Sequence, residues 1–238
     1  MLNRAIRPYY PGSVFKVVVA AAALEAGTSP YTWRYTDEGS IEAGSNVFRC
    51  AADERGGHGA VGIGDMLAYS CNTAAIALAA QMGPSAVRAQ AKKFGIGDSS
   101  LVGRLHLPDV LSGSVARLRE ISSEAGLANM ALGQVHVEMT PLEAAAVMAC
   151  IAGDGLTVVP SLVRHAEDAS GRRMVYPRSI KGERAVSAET AATLREMLAR
   201  AAGEGTARAF LAGLSCAGKT GTAQTGRLNQ SGEPLYNA

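Results

Sequence analysis

The sequence predicts an α+β fold, on three observations. Alanine is used heavily while aromatics make up only 5% of the chain, a composition that favours helix. A long apolar stretch from Ser13 to Ala26, stopped by Gly27, reads as a helix buried on all sides. Two shorter runs, Leu156 to Val163 and Arg173 to Tyr176, flank Asp168-Ala169-Ser170-Gly171 and read as a β-hairpin. At 238 residues, 47% hydrophobic and 18% charged, the chain can bury one substantial core. A formal net charge of +2 is too small to mark a nucleic-acid surface, so no nucleic-acid partner is expected.

Along the chain, the turn Tyr10-Pro11-Gly12 introduces Ser13 and the first helix. Thr28 to Gly64 is rich in Gly, Ser and Asp with little periodicity, which predicts loops and short strands. Asp65 is placed to cap a short helix from Met66 to Tyr69. After a break at Ser70-Cys71-Asn72 comes a helix from Thr73 to Met82, ended by Gly83. An amphipathic helix from Ser85 to Phe94 follows, closed by Gly95. Thr140-Pro141-Leu142-Glu143 combines capping-box spacing with proline at the first helical position, predicting a helix to Ile151 that stops near Gly153. Ser187 caps a further helix to about Ala202. Leu214 to Thr225 reads as a strand, and the remainder from Gly226 as a polar, turn-rich tail. No repeat, linker or boundary interrupts the chain, so residues 1–238 are read as one domain.

The longest apolar run, Val17 to Leu24, is well short of the ~18–20 residues that cross a bilayer. Asn3, Arg4 and Arg7 lead into the Pro-Gly turn without an apolar stretch, so a soluble chain without a targeting segment is expected. Cys50, Cys71, Cys150 and Cys216 show no C-x-x-C spacing and the four histidines form no metal motif, so no metal or cofactor is expected. Free thiols and a Cys50–Cys71 bridge both remain compatible with the sequence.

Three short motifs carry the chemistry. In Ser13-Val14-Phe15-Lys16, Ser13 and Lys16 are one helical turn apart and point into the same space. The helix start adds unpaired N–H groups suited to a developing oxyanion. Lys16 lies among Phe15, Val17 and Val18, where burial disfavours its charge and leaves an amine able to act as base to a serine hydroxyl. Ser70-Cys71-Asn72 lies at a break between helices that can aim side chains into a cleft, although Ser and Asn alone equally make turns. Lys219-Thr220-Gly221-Thr222 is placed where a substrate could add as a strand, its carboxylate meeting Lys219 and the threonine hydroxyls. The same residues alone could be an edge strand guarded by a lysine. The order and combination of the three motifs carry the weight that none has singly.

With its neighbours, this text resembles the transpeptidase domain of monofunctional (class B) penicillin-binding proteins. The resemblance runs through Tyr10-Pro11-Gly12-Ser13-Val14-Phe15-Lys16, His58-Gly59, Ser70-Cys71-Asn72-Thr73-Ala74, Ala131-Leu132-Gly133-Gln134, Thr140-Pro141-Leu142 and Ala217-Gly218-Lys219-Thr220-Gly221-Thr222-Ala223-Gln224. It implies a helical subdomain with an antiparallel sheet flanked by helices. It implies a D,D-transpeptidase that crosslinks peptidoglycan stem peptides ending in D-Ala-D-Ala and is acylated by β-lactam antibiotics. Carried over by position, Ser13 is the acylated nucleophile and Lys16 its base. Ser70 relays a proton to the leaving group, and Asn72 holds the substrate amide. Lys219, Thr220, Gly221 and Thr222 bind the terminal carboxylate, with the N–H groups of Ser13 and Thr222 as oxyanion hole. The resemblance also implies work at the outer face of the bacterial cytoplasmic membrane, beside a membrane glycosyltransferase and division or elongation proteins.

Val135 stands after Gln134 where relatives usually have glycine. Family members carry an anchor, a pedestal and strands before the first motif, and a strand and helix after the third. On that comparison this is a partial domain with an incomplete sheet, its Lys219 strand lacking a hairpin partner. A D,D-carboxypeptidase or serine β-lactamase, and an inactive fragment or scaffold, are the alternatives. No Glu-x-x-Leu-Asn follows the middle motif, since Glu120 and Glu124 do not match, and class D β-lactamases carry valine where Asn72 stands.

Overall fold

A 3-10 turn at Gly12–Phe15 leads into helix α1, Lys16–Glu25, at the centre of the molecule. The computed structural model describes residues 3–98, 113–115, 118–163, 165–175, 180–206, 208, 214–228 and 234–237. Every residue from Val17 to Ala23 is buried, as an apolar surface all round the helix requires. Around it, among the described residues, lie α2 (Ile63–Ala68), α3 (Asn72–Lys93), α4 (Leu118–Ile121), α5 (Glu124–Ala131), α6 (Pro141–Ala152) and α7 (Ala188–Gly203). The small side chains of Ala20 to Ala23 let α3 and α7 approach α1. Phe15, Met66, Leu78, Met130 and Leu194 close one continuous core.

The strands are short, and every ladder among the described residues is antiparallel and two-stranded. Strand β1 (Tyr35–Asp37) pairs with β4 (Gly59–Val61), and β2 (Ser40–Ala43) with β3 (Asn46–Arg49). Further on, β5 (Ser114–Val115) pairs with β6 (Val137–Glu138). The predicted hairpin is corrected in its first strand. β7 (Leu156–Val159) pairs with β10 (Ile180–Arg184), while β8 (His165–Glu167) pairs with β9 (Arg173–Val175) across the Asp168–Gly171 turn. Pro160, which has no N–H for a ladder, separates β7 from β8. Tyr176, the end of that predicted hairpin, lies outside the described residues.

Three other boundaries differ from expectation. Helix α2 starts at Ile63, before Met66, because Asp65 reaches back to accept the Gly62 N–H at 2.8 Å from inside the first turn. The helices expected over Thr73 to Met82 and Ser85 to Phe94 meet as one element, α3, broken at Gly83 with φ of 77°. The predicted strand from Leu214 begins only at Ala223. There β11 (Ala223–Leu228) pairs with β12 (Pro234–Asn237), so the tail supplies a hairpin partner that the sequence was expected to lack. Lys219 to Thr222 stays outside any ladder because its backbone lies on the Pro11–Val14 turn: a Cβ on Gly221 would lie 2.8 Å from Val14 Cγ2 and 3.0 Å from the Pro11 carbonyl.

Thr140 and Glu143 form the expected capping box at α6. Glu143, only 1% exposed, does more than cap. Its carboxylate accepts the N–H groups of Thr140 at 2.7 Å, Gly97 at 3.1 Å and Gly113 at 2.9 Å, tying the chain beyond α3 to the start of α6. Glu143→Ala orphans these three donors together, and each buried unpaired group costs about 1–3 kcal/mol. A loss of at least ~2 kcal/mol in denaturant unfolding is expected; an unmoved midpoint would show that the carboxylate only caps.

Candidate active site

The first motif owes its place to backbone packing. Gly12 has φ of 54°, and a Cβ there would lie 2.3 Å from the Thr222 carbonyl oxygen. Gly12 donates its N–H to the Gly133 carbonyl at 3.0 Å, and a Cβ on Gly133 would collide with Gly12 in turn. Glycine at both positions lets three backbones meet beside Ser13. That contact brings the third motif against the first.

Ser70 is the strained member. It follows α2 with φ of 57°, a left-handed conformation that is uncommon for a residue with a side chain and costs of order 1–3 kcal/mol. The conformation turns its hydroxyl inward, where Ser70 Oγ donates to Ser13 Oγ at 2.8 Å. Lys16 Nζ bonds the Ser70 carbonyl at 2.5 Å, Asn72 Oδ1 at 2.7 Å and Ser70 Oγ at 3.3 Å. Asn72 Nδ2 donates to the Arg49 carbonyl at 2.9 Å, which orients its amide. Lys16 therefore reaches Ser13 through the Ser70 hydroxyl, where the sequence reading placed it directly beside the nucleophile.

Burial, seconded by the charge of Lys219, lowers Lys16 to about 7. Burial likewise lowers Lys219 to about 8. A lysine that is neutral in part at pH 7, joined to two serine hydroxyls in a row, can take up a proton from either. Lys219 Nζ donates to the Thr220 carbonyl at 3.2 Å, and the Thr220 hydroxyl meets that of Thr206 at 2.7 Å.

Ser13, Ser70, Asn72, Thr220, Gly221 and Thr222 line one cleft of about 800 Å³. The same cleft is walled by Arg49, Tyr69, Leu132, Gln134 and Thr206. Sequence reasoning gave no role to Arg49, Tyr69 and Thr206, which belong to no motif and reach the cleft only through the fold. Gln134 lay within the family-like text without an assigned task. Its neighbour Val135 has φ of 29°, in the region that favours glycine and strains a β-branched residue. Val135→Gly is expected to raise stability by about 1 kcal/mol, since the relieved strain exceeds the added entropy of the unfolded chain. A lower melting temperature would show that the side chain, though 58% exposed, holds its loop.

Comparison with known proteins agrees with this geometry. The family profile described as the penicillin binding protein transpeptidase domain matches residues 1–238. The chain is 31% identical over 229 residues to the peptidoglycan D,D-transpeptidase PbpA of Mycolicibacterium smegmatis, covering 95% of this chain and 45% of that protein. It is 30% identical over 219 residues to stage V sporulation protein D of Bacillus subtilis, covering 91% of this chain and 33% of the relative. Among solved structures, the ceftriaxone acyl-enzyme complex of penicillin-binding protein A from M. tuberculosis superposes with a TM-score of 0.81 at 30% identity. That match covers 94% of this chain and 50% of the other. The D,D-transpeptidase domain from Eggerthella lenta gives 0.82 at 28% identity, covering 96% of this chain and 57% of the other. The chain thus spans about a third to somewhat over half of the length of these relatives. With the motifs converging on one cleft and the family profile matching residues 1–238, the chain belongs to the penicillin-binding protein transpeptidase domain family.

Proposed function

We propose that this chain is the acyl-transfer unit of a peptidoglycan D,D-transpeptidase, acting on stem peptides that end in D-Ala-D-Ala. The observation that carries this reading is the buried Lys16 amine, linked through the Ser70 hydroxyl to Ser13. Ser13 Oγ bonds to the carbonyl carbon of the penultimate D-Ala as its proton passes by way of Ser70 to neutral Lys16. The N–H groups of Ser13, at its helix start, and Thr222 stabilise the oxyanion. Collapse breaks the C–N bond; the leaving D-Ala takes a proton back through Ser70, and its carboxylate is held by Lys219, Thr220 and Thr222. The amine of a second stem peptide then attacks the acyl carbon, its surplus proton returns to the serine oxygen, and an amide crosslink is left. β-Lactams enter the same first step, and the ceftriaxone and penicillin G acyl-enzyme complexes of penicillin-binding protein A from M. tuberculosis support that expectation.

Stem peptides lie outside the cytoplasmic membrane, so the parent protein works at that membrane's outer face. A glycosyltransferase supplying glycan strands and division or elongation proteins are its partners. No helix among the described residues is long and apolar enough to cross a membrane. Incubation with a pentapeptide substrate, with and without an acceptor amine, tests the function. Crosslinked product together with released D-Ala is expected when the amine is present. Hydrolysed tetrapeptide alone under both conditions would make the chain a D,D-carboxypeptidase instead.

A further inference from the structure

One residue of the cleft carries a charge that the acylation steps leave unused. Arg49, the last residue of β3, is the one charged side chain among the described residues that line the cleft. Its backbone carbonyl accepts Asn72 Nδ2 at 2.9 Å, so the strand end and the middle motif are fixed to each other. Its side chain is 68% exposed, and one nitrogen, Nη1, meets Asp53 Oδ2 at 2.6 Å. Asp53, four residues on in a 3-10 turn, thereby holds the guanidinium at the cleft wall by one corner. The pair is exposed and screened by water, so Asp53 orients the guanidinium more than it cancels its charge. A guanidinium has five N–H donors in a rigid plane, which leaves an edge for a second acceptor. No aspartate or glutamate is among the described lining residues, so an anion in the cleft meets donors and one cation.

We infer that Arg49 selects donor stem peptides in which the residue before D-Ala-D-Ala carries a side-chain carboxylate. The inference rests on the transpeptidase reading and specifies its donor. Two amides flank the penultimate D-Ala: one is cleaved at Ser13, and the other joins that D-Ala to the preceding residue. Asn72 is the side chain assigned to the second. A substrate amide held at Asn72 places the preceding residue beside the strand end bonded to Asn72, which is Arg49. A carboxylate on that residue can then pair with the open edge of the guanidinium through two parallel N–H···O bonds. A carboxamide offers one oxygen and no charge, and a side chain ending only in an ammonium is repelled. Lys219 does not make this distinction, because it serves the C-terminal carboxylate that every such donor has. The pairing of Arg49 with Ser40 and its bond to Asn72 both use the backbone, so a substitution removes the guanidinium and keeps the strand end in place.

The test compares two synthetic pentapeptide donors that differ in one group, a side-chain carboxylate or carboxamide on the residue before D-Ala-D-Ala. Each is incubated with the full chain and the same small acceptor amine, and D-Ala release is followed. The carboxylate donor is expected to show a kcat/KM about 10-fold higher, carried mainly by KM and shrinking as salt is raised. Arg49→Gln should bring the two donors level, and Arg49→Lys should keep part of the preference, as a charge without the planar fork. A substitution that acted only by disturbing Asn72 would slow both donors alike and leave their ratio unchanged. Equal use of the two donors by the unsubstituted chain, a ratio that survives Arg49→Gln, or preference for the carboxamide would overturn the inference. Should neither donor release D-Ala, the transpeptidase reading fails, and calorimetry of the same peptides on Ser13→Ala decides the inference separately. There the carboxylate peptide must bind about 10-fold more tightly, and the difference must vanish when Arg49→Gln is added; equal Kd values would overturn it.

Discussion

A Ser13→Ala chain is expected to form no covalent adduct with a β-lactam while still binding it reversibly. Ser13 Oγ is the hydroxyl that accepts from Ser70, faces the cleft and starts the helix whose N–H groups can stabilise an oxyanion. No other hydroxyl among the cleft-lining residues has that combination; Thr206, Thr220 and Thr222 make no hydrogen bond to Lys16 or Ser70. Removing a serine nucleophile from an acyl-transfer site costs roughly 10⁴-fold or more in rate. Binding that rests on Lys219 and the threonines does not depend on that oxygen. Stopped-flow acylation and calorimetry on the same variant separate the two effects. Residual acylation near the unsubstituted rate would assign the nucleophile elsewhere.

Lys16→Met is expected to slow acylation by about 10²–10⁴-fold, the usual contribution of a positioned general base. The pH profile of the unsubstituted chain supplies the sign. In the proposed mechanism Lys16 acts as the neutral amine, so the acylation rate should rise with pH through about 7. In the proposed mechanism Lys219 binds the substrate carboxylate as the ammonium, so the rate should fall again above about 8. A narrow bell is the result. Lys219→Gln removes the neighbouring cation that helps to lower Lys16, so it should shift the acid limb towards higher pH while weakening β-lactam binding. An acid limb that stays in place would show that burial alone sets the Lys16 proton affinity.

The elements legible in the sequence were those whose signals are local. The buried α1, the capping box of α6, the Ser187 cap of α7 and the break at Gly83 all follow from residues within a turn or two of one another. Strand partners are not local. Leu156–Val159 gave no sign that it would find Ile180–Arg184 rather than the nearer Arg173–Val175, although Pro160 marked where the run must stop. The same distinction holds at the site. Motif residues could be named from order and spacing, and the structure brings Ser13, Lys16, Ser70 and Asn72 into one hydrogen-bonded chain. That Lys16 meets Ser13 through Ser70 depends on the left-handed turn at Ser70, which nothing in the residue type announces. The arrival of Arg49 beside Asn72 was equally invisible, being a product of packing and not of spacing.

The measurement closest to the central claim is the mass of the chain after exposure to benzylpenicillin, with the adduct located by peptide mapping. A single penicilloyl group on the peptide carrying Ser13, formed fastest between about pH 7 and 8, is the predicted result. An adduct on any other residue, or no adduct from a folded chain, would contradict the account.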